Sequence, residues 1–231
     1  MNSDLTLDDF MLPQNADWQP LNWQPNQKQQ EQFQQLYELI ISANRQFNLT
    51  RITEPSEFWE KHLWDSLRGI ALFLGNNSPI TNPQIIDIGT GAGFPGVPVA
   101  IALPHSSVTL LDSTRKKIVF LASLLEQLGL SNATTLIGRS EQVNQQPQYR
   151  RSYDVALIRA VGSAAICAEY ALPFLKIGGL AILYRGHWTD AEAADLQSVI
   201  ERLGGKLESI EAFTTPLTQS VRHCLYLRKV G

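Results

Sequence analysis

The stretch of sequence that decides the fold of this chain is Ile85-Ile86-Asp87-Ile88-Gly89-Thr90-Gly91-Ala92-Gly93-Phe94-Pro95-Gly96. An apolar strand candidate precedes the glycines and a helix candidate follows them, so the glycines form a strand-to-helix loop. Glycine permits a positive φ and lets a ligand approach the backbone where a Cβ would block it. The N–H groups of the following helix point at the same place. The stretch therefore predicts a ligand site at the carboxyl end of a strand, where open α/β sheets bind their ligands.

Beyond this loop, short apolar strands alternate with helical stretches. The strand candidates are 84–88, 107–111, 134–137, 153–158 and 180–184, and the helix candidates are 96–103, 114–129, 163–175 and 189–203. This alternation predicts βαβ units and a buried parallel sheet. Two last strands, 206–213 and 221–228, are separated only by a turn, which predicts an antiparallel pair at the sheet edge. The predicted fold is α/β: a Rossmann-like, mostly parallel seven-stranded sheet with an antiparallel C-terminal strand pair.

The N-terminal part of the chain follows a different pattern. Residues 1–25 hold three prolines and two tryptophans without helical periodicity, and we interpret them as an irregular arm. Residues 26–79 predict a helical extension, and residues 80–231 form the predicted α/β domain. The first helix is expected to start at an Asn26 cap, and the second at a Thr53 cap.

The second predicted helix carries two stripes at helical spacing. Its apolar stripe is Trp59, Leu63, Leu67, Ile70 and Leu74, and its polar stripe is His62, Asp65, Ser66 and Gly69. The polar stripe is either a hydrogen-bonded seam between this helix and the α/β domain or part of a substrate site. The sequence leaves both alternatives open.

Composition narrows the class of protein. The chain has 231 residues, of which 44% are hydrophobic, and a net charge of −3; this fits a globular protein and counts mildly against one that wraps naked nucleic acid. No apolar run approaches the roughly 18 residues of a membrane span, and residues 1–4 begin no export signal. Cys167 and Cys224 lack metal-ligand spacing. We therefore expect a cytoplasmic monomer without a membrane segment or a metal site.

Two cofactors compete for the glycine loop. Gly91, Gly93 and Gly96 satisfy the dinucleotide fingerprint, and Asp112 lies near the distance expected of its ribose-binding acid. Three features favour S-adenosylmethionine instead. Asp87 lies inside the strand, where a carboxylate suits a cationic ammonium and sulfonium better than a pyrophosphate. The glycines also begin directly at the strand end, and the last two strands are antiparallel. We therefore predict a class I methyltransferase fold that binds S-adenosylmethionine.

Polar residues at the ends of the next two strands extend the predicted cofactor site. Asp112 can accept both ribose hydroxyls, while Ser113 and Thr114 follow it and can equally cap the next helix. Glu141 follows the third strand. It can accept a hydrogen bond from the adenine amino group, or it can simply be an acid in the first turn of a short helix.

Several short segments, in one order along the chain, carry a resemblance to a known family. They are Asn48-Leu49-Thr50-x-Ile52, His62-Leu63-Trp64-Asp65-Ser66-Leu67, residues 87–96, Leu110-Leu111-Asp112-Ser113, Arg139-Ser140-Glu141, Ile158-Arg159-Ala160-Val161 and Arg222-His223. Together they closely resemble the bacterial 16S ribosomal RNA (guanine-N7) methyltransferase G family, also called the glucose-inhibited division protein B family. The resemblance covers roughly residues 30–229.

The resemblance implies the substrate and completes the predicted site. The predicted cofactor-binding residues are Asp87, Gly89, Gly91, Gly93, Phe94, Asp112, Ser113, Thr114, Ser140, Glu141 and Arg159. The implied substrate is 16S ribosomal RNA, alone or in the small ribosomal subunit, with N7 of one guanine as the methyl acceptor. Predicted RNA contacts are Arg185, Arg222 and His223. The family usually has a lysine at the position of Arg185, and arginine keeps the charge but changes its geometry.

The chemistry of guanine N7 agrees with what the sequence lacks. N7 carries a lone pair and no proton, so its methylation needs positioning and no general base. Methyltransferases of exocyclic amines usually carry Asn/Asp-Pro-Pro-aromatic after the fourth strand, where this chain has Arg159-Ala160-Val161-Gly162. Cys167 lies among the alanines of a helix, unlike the nucleophile of cytosine C5 chemistry.

We assign no catalytic residue, and Arg159 is the candidate for positioning. It ends the fourth strand and can bind the methionine carboxylate, an RNA phosphate or the guanine, or form a structural salt bridge.

Three rival functions stay open: a methyltransferase of the same fold that acts on a small molecule or protein, a nicotinamide-dependent oxidoreductase, and a catalytically silent RNA-binding or assembly protein.

Overall fold

The computed structural model describes residues 11–13, 17–75 and 78–231. Its strands are β1 (Gln84–Ile88), β2 (Ser107–Asp112), β3 (Ala133–Ile137), β4 (Tyr153–Arg159), β5 (Leu175–Arg185), β6 (Gly205–Thr214) and β7 (Val221–Lys229). Its α-helices are α1 (Gln27–Phe47), α2 (Pro55–Phe58), α3 (Asp65–Arg68), α4 (Gly96–Ala102), α5 (Arg115–Gln127), α6 (Ser140–Val143), α7 (Ala164–Ala171) and α8 (Asp190–Arg202). A π-helical segment, Trp59–Trp64, joins α2 to α3.

The seven strands form one sheet in the order β3-β2-β1-β4-β5-β7-β6. Strands β1 to β5 pair in parallel, and β7 pairs antiparallel with both β5 and β6. The predicted Rossmann-like α/β fold with an antiparallel C-terminal pair is therefore confirmed. Two neighbouring boundaries differ most from the prediction: the helix predicted to reach residue 175 ends at Ala171, and the strand predicted to begin at residue 180 begins at Leu175. A 3₁₀ turn, Leu172–Phe174, leads directly from the helix into the longer strand β5.

Each face of the sheet buries its own apolar cluster. On one face the cluster includes Val155 and Leu180 of the sheet together with Trp18 of the arm and Leu36 of α1. On the other face Ala156 and further strand residues pack with α7 and α8. Residues 26–79, predicted as a separate extension, thus share one continuous core with the α/β part, and the predicted division into units stays untested. Residues 1–10, 14–16 and 76–77 of the predicted arm and linker lie outside the described residues.

Helix α1 begins as the sequence predicts. The Asn26 side chain accepts a hydrogen bond from Gln29 N at 3.0 Å, and the Gln29 side chain accepts one from Asn26 N at 2.9 Å, which makes a capping box. The Gln29 amide also donates to the carbonyl of Ile101, so the cap ties α1 to α4. The apolar α1 residues Phe33, Leu36, Tyr37 and Ile40 recur at helical spacing and are buried in the core.

The predicted start of the second helix is wrong by one residue. Glu54, not Thr53, occupies the N-cap, and its side chain makes no capping bond. Pro55 takes the first helical position, and the residue before a proline is restricted to extended backbone. The cap therefore falls on Glu54, whose φ is −69° and ψ 133°. The carbonyl of Thr53 instead accepts a hydrogen bond from the Tyr37 hydroxyl.

Candidate active site

The Asp87 side chain lies beneath the glycine loop and holds it by hydrogen bonds. Its Oδ2 accepts hydrogen bonds from Thr90 Oγ1 at 2.6 Å and from Gly96 N at 2.8 Å, whereas its buried Oδ1 has no partner among the described residues. Burial raises the pKa of Asp87 to about 6, against the opposing effect of these two hydrogen bonds. A Cβ at Gly96 would lie 2.7 Å from Asp87 Oδ2, which explains why glycine is needed there.

A cavity of about 170 Å³ opens where β1, β2 and β3 end, and we call it the Asp112 cavity. It is lined by Ile88, Gly89, Leu111, Asp112, Ser113, Gly138, Arg139, Ser140, Glu141, Val161 and Tyr170. Gly89 has a φ of +70°, and a Cβ there would lie 2.6 Å from Val161 Cγ2. Gly89, Asp112, Ser113, Ser140 and Glu141 were all predicted to bind the cofactor, and the structure brings these five together around one cavity.

Asp112 is the anchor of this cavity. One carboxylate oxygen, Oδ2, accepts a hydrogen bond from Gly91 N at 3.0 Å, and Oδ1 accepts one from Thr114 N at 2.8 Å. Asp112 thus connects the glycine loop to the start of α5. The predicted capping of this helix by its own hydroxyls is wrong: Thr114 is the N-cap, but its side chain makes no capping bond, and the N–H of Lys117 donates to the Thr114 backbone carbonyl instead.

Ser140 and Glu141 start the short helix α6 with opposite exposure. Ser140 is buried, and its Oγ lies 3.2 Å from the carbonyl oxygen of Tyr170, to which it donates. The Glu141 side chain is 49% exposed and lies 3.9 Å from Arg139. Ser140 therefore holds the cavity wall, whereas the Glu141 carboxylate is free to meet a ligand. Its predicted place as an acid in the first turn of a short helix is confirmed, whereas its contact with the adenine amino group stays a prediction.

A second cavity, of about 440 Å³, lies beside the first, and we call it the Arg159 cavity. It is lined by Ile52, Lys61, His62, Asp65, Arg159, Ala160, Tyr184, Arg185, Gly186, His187 and Arg222. Val161 lines the Asp112 cavity and the preceding residue, Ala160, lines the Arg159 cavity, so the two cavities flank one turn at the end of β4.

Arg159 binds the N-terminal helices. Its Nη1 donates to the carbonyl of Lys61 at 2.8 Å and to Asp65 Oδ2 at 3.1 Å, and its Nη2 lies 3.4 Å from His62 Nδ1. The structural salt bridge considered in the sequence analysis is therefore present. Arg159 lies in the second cavity, away from Asp112, and a direct contact of Arg159 with the cofactor stays a prediction.

His62 joins this arginine to the glycine loop. Its ring stacks on Phe94 with centroids 4.2 Å apart and an interplanar angle of 6°. Because arginine can only donate, His62 Nδ1 accepts from Arg159, so Nε2 carries the proton and donates to Thr50 Oγ1 at 2.8 Å. Burial, together with the charges of Arg159 and Lys61, lowers the pKa of His62 to about 3. The ring is thus neutral and positions Phe94.

His62→Gln is expected to make the protein less sensitive to acid. The unfolded chain protonates His62 near pH 6.5, whereas the folded protein resists protonation down to about pH 3. This stability is present above pH 6.5 and is lost as the pH falls, by up to about 1.4 kcal/mol per pH unit. Urea unfolding of both proteins between pH 7 and pH 5 measures the difference in slope. Replacing the exposed His105 by glutamine should leave the wild-type slope, and an unchanged slope in His62→Gln would refute this role.

The rest of the polar stripe is a hydrogen-bonded seam. The Tyr184 hydroxyl donates to the carbonyl of Ser66 at 2.7 Å, and the Tyr226 hydroxyl donates to that of Gly69 at 3.0 Å. A Cβ at Gly69 would lie 2.4 Å from the Tyr184 ring. The seam alternative is therefore realised by Ser66 and Gly69, which dock the helix on the sheet. His62 and Asp65 line the Arg159 cavity, and a substrate role for them stays a prediction.

Glu60 secures the other side of the π-helical segment and was missed by the sequence analysis. Its carboxylate accepts hydrogen bonds from Leu217 N, Thr218 N and Thr218 Oγ1 in the β6–β7 turn. Burial raises the pKa of Glu60, but the hydrogen bonds from Thr218, Leu217 and Thr215 together outweigh burial and lower it. No sequence signal marks this contact, because the two segments lie more than 150 residues apart.

The three predicted RNA contacts do not lie together. Arg222 lines the Arg159 cavity, and a Cβ at Gly186 would lie 2.9 Å from its Nη1. Arg185 lines the same cavity but is bound to the Gly162 carbonyl and to Glu192. Adjacent residues of a strand point to opposite faces, so His223 belongs to the α7/α8 face, and its buried Nδ1 has no partner in the described part of the chain.

The remaining loop residues serve packing. A Cβ at Gly93 would lie 2.7 Å from Val97 Cγ2, and Gly93 has a φ of +102°. Phe94 is buried against His62, outside the lining of the Asp112 cavity, and Thr114 also lies outside that lining. Their direct contact with a cofactor therefore stays a prediction.

The sheet order, the loop after β1 and the acid at the end of β2 define the class of protein: a methyltransferase with the class I fold. The family model described as rRNA small subunit methyltransferase G matches residues 29–223. The chain belongs to this family. The family resemblance, the enzyme class and the S-adenosylmethionine cofactor predicted from the sequence are thereby confirmed.

Individual relatives support the same membership. The ribosomal RNA small subunit methyltransferase G of Nostoc punctiforme is 63% identical over 223 residues, which cover 96% of this chain and 91% of that protein. The protein of the same name from Microcystis aeruginosa is 54% identical, and the match covers 95% of this chain and 100% of that protein. The similarity therefore extends over nearly the whole chain.

Solved structures agree with the fold. The crystal structure of M. jannaschii TYW2 in complex with AdoMet has a TM-score of 0.55 and 16% identity, and the match covers 73% of this chain and 76% of that chain. A SAM-dependent methyltransferase from Aquifex aeolicus has the same TM-score and identity, with 82% and 98% covered. At these identities the likeness shows the fold alone.

The Asp112 cavity fits the adenosyl part of S-adenosylmethionine. The absence of a Cβ at Gly89 leaves backbone beside the cavity, and the Asp112 carboxylate lies at the strand end where two ribose hydroxyls need acceptors. In the described residues, no group of three or more His, Cys, Asp or Glu side chains could hold a metal ion. No helix in that part of the chain is long and apolar enough to cross a membrane.

Proposed function

We propose that this protein transfers the methyl group of S-adenosylmethionine to N7 of one guanine in 16S ribosomal RNA. The observation that carries the proposal is the pair of cavities on either side of the Ala160–Val161 turn. One cavity has the acid and the glycine backbone that suit an adenosyl group. The other is rimmed by basic side chains that suit RNA. Membership in the rRNA small subunit methyltransferase G family supports the same assignment.

The residues of the Arg159 cavity suit a reaction without proton transfer. S-adenosylmethionine supplies an activated methyl group on a sulfonium, and the N7 lone pair forms the new bond as the carbon–sulfur bond breaks. His62 is held by Thr50 and Arg159 with its proton on Nε2, so it positions the glycine loop and takes no proton. Tyr184 is engaged by the Ser66 carbonyl, and burial raises its pKa. The protein thus acts by orientation and by exclusion of water.

The test is methyl transfer to mapped RNA. The protein is incubated with labelled S-adenosylmethionine and either 16S ribosomal RNA or small subunits from a bacterium that lacks the enzyme. We expect 7-methylguanosine at one position, and a comparison of the two preparations shows which form is the substrate. Label in a small molecule or a protein, or binding of RNA without transfer, would refute the proposal in favour of its rivals.

Cytoplasmic location and a monomeric state stay predictions, the latter testable by sedimentation.

Arg222→Ala is expected to flatten the salt dependence of RNA binding. Within the described part of the chain, Arg222 makes no hydrogen bond or ion pair, so its charge is available to a phosphate. Each lost phosphate contact lowers the slope of log affinity against log salt by roughly 0.7–0.9. Calorimetry should show unchanged S-adenosylmethionine affinity. Arg202→Ala, which removes an exposed arginine paired with Glu169, is the matched control, and an equal slope change there would argue against a specific contact.

A further inference from the structure

The Arg159 cavity has one acidic side chain among basic ones. Among the described residues that line it, the cations are Lys61, Arg159, Arg185 and Arg222, and the acid is Asp65. Three of these cations are already paired: Lys61 with Glu57, Arg159 with Asp65 and Arg185 with Glu192. Asp65 is the salt-bridge partner of Arg159, and it also gives the cavity wall a carboxylate acceptor, which suits a ligand with hydrogen-bond donors better than a bare phosphate.

The Asp65 carboxylate is held by Arg159, and part of it remains available to accept further hydrogen bonds. Its Oδ2 accepts from Arg159 Nη1 at 3.1 Å, and Oδ1 accepts no hydrogen bond from any described residue. Its side chain is 15% exposed. The seam through Ser66 and Tyr184, one residue further along α3, fixes the helix that carries it. A carboxylate oxygen has two lone pairs, so Oδ2 can accept a second hydrogen bond beside the arginine.

We propose that Asp65 accepts hydrogen bonds from N1–H and the 2-amino group of the target guanine and thereby contributes to catalysis. This inference rests on the proposed function. The N1 and 2-amino donors lie on the Watson–Crick edge, opposite N7, so a base held in this way keeps N7 free for the methyl group. Adenine has a lone pair at N1 and no 2-amino group, so its N1 would face the carboxylate with a second acceptor. A lost or mismatched hydrogen bond in a buried polar site discriminates strongly between substrates.

The same contact strengthens during the reaction. When the methyl group moves from sulfur to N7, the carbon–sulfur electron pair stays on sulfur, and the positive charge passes to the guanine ring. No proton leaves, but N1–H becomes a stronger donor because the ring is now cationic. A carboxylate that accepts from it binds the transition state more tightly than the substrate, which raises the rate of the chemical step. Asp65 also offsets the repulsion between the cationic ring and the basic wall.

The experiment uses inosine, which lacks only the 2-amino group of guanosine and keeps N7. Small subunits, or 16S RNA if that is the substrate, are assembled with guanosine or inosine at the position mapped by the labelling experiment. We expect wild-type kcat/KM to fall at least about tenfold with inosine, as for loss of a hydrogen bond to a charged group. In Asp65→Asn we expect a kcat at least about tenfold lower with guanosine, and a guanosine-to-inosine ratio near one.

Two controls separate recognition from a structural role. Asparagine keeps an oxygen for Arg159, so Asp65→Asn should bind S-adenosylmethionine with wild-type affinity by calorimetry. Arg222→Ala should weaken binding of both RNAs while keeping the wild-type guanosine-to-inosine ratio. Equal wild-type rates on the two RNAs would overturn the inference, as would an unchanged ratio in Asp65→Asn. Either result leaves the proposed function standing, whereas absence of transfer to any guanine refutes the proposed function itself.

Discussion

Gly93→Ala is expected to lower the free energy of unfolding by about 2–5 kcal/mol and to abolish measurable binding of S-adenosylmethionine. Gly93 has a φ of +102°, a backbone conformation in which a residue with a side chain is strained. The Cβ of an alanine at this position would also lie 2.7 Å from Val97 Cγ2 and 3.0 Å from Leu121 Cδ2. Both neighbours are buried in the core, so neither can move away without opening the packing of α4 and α5. Urea unfolding and calorimetry measure the two effects.

Gly91→Ala is the matched control for this loop. Gly91 also has a positive φ, of +62°, but a Cβ there would meet nothing closer than the carbonyl oxygen of Gly89 at 3.9 Å. The Gly91→Ala substitution should therefore lower the free energy of unfolding only by the cost of backbone strain, about 1–2 kcal/mol. Equal destabilisation of the Gly91 and Gly93 variants would show that strain alone matters and that the contacts of Gly93 with Val97 and Leu121 relax.

Asp112→Ala is expected to weaken binding of S-adenosylmethionine at least roughly tenfold, and up to about a hundredfold, in a protein that still folds. Each hydrogen bond to a charged group contributes about 1.5–3 kcal/mol. The carboxylate also holds the N–H groups of Gly91 and Thr114, so its removal loosens the loop as well as the predicted ribose contact. Calorimetric titration with S-adenosylmethionine measures the loss.

Asp154→Ala controls for the structural part of that effect. Asp154 also accepts from a backbone N–H, that of Gln84, and it pairs with Lys176, but it lies at the opposite end of the parallel strands. We expect it to lower stability and to leave the affinity for S-adenosylmethionine unchanged. If Asp112→Ala bound the cofactor as tightly as the wild type, Asp112 would belong to the loop structure alone.

The sheet was predictable because its signals are local. Buried parallel strands are short apolar runs, and helices and turns separate them along the chain. The position of each strand could therefore be predicted directly from the sequence. The limits of β1 are the predicted ones, 84–88. Strand β5 begins five residues earlier than predicted, because its first residues include Lys176, Gly178 and Gly179 and carry no continuous apolar pattern. Leu175 pairs with Tyr153 of β4, and a shift in register precedes the next pair, Val155 with Leu180.

The grouping of residues around the Asp112 cavity was also predictable, for a topological reason. The carboxyl ends of adjacent parallel strands meet at one edge, so residues that directly follow β1, β2 and β3 must gather there. Gly89, Asp112 and Ser140 line one cavity for this reason. Asp87 was expected to face the ligand, but its position inside the strand places it beneath the loop, where its carboxylate hydrogen-bonds Thr90 and Gly96.

Periodicity was enough to indicate the α/β class and the antiparallel edge, and short segments in one order carried the resemblance to the family, since all of these depend on neighbours within a few residues. The partners of Arg159 could not be inferred in this way. They lie 94 to 98 residues away on the N-terminal helices, and the packing of those helices against the sheet is what brings Lys61, His62 and Asp65 to it. The separation of the Asp112 cavity from the Arg159 cavity likewise depends on this long-range packing, because the docked helix supplies Lys61, His62 and Asp65 to the lining of the Arg159 cavity.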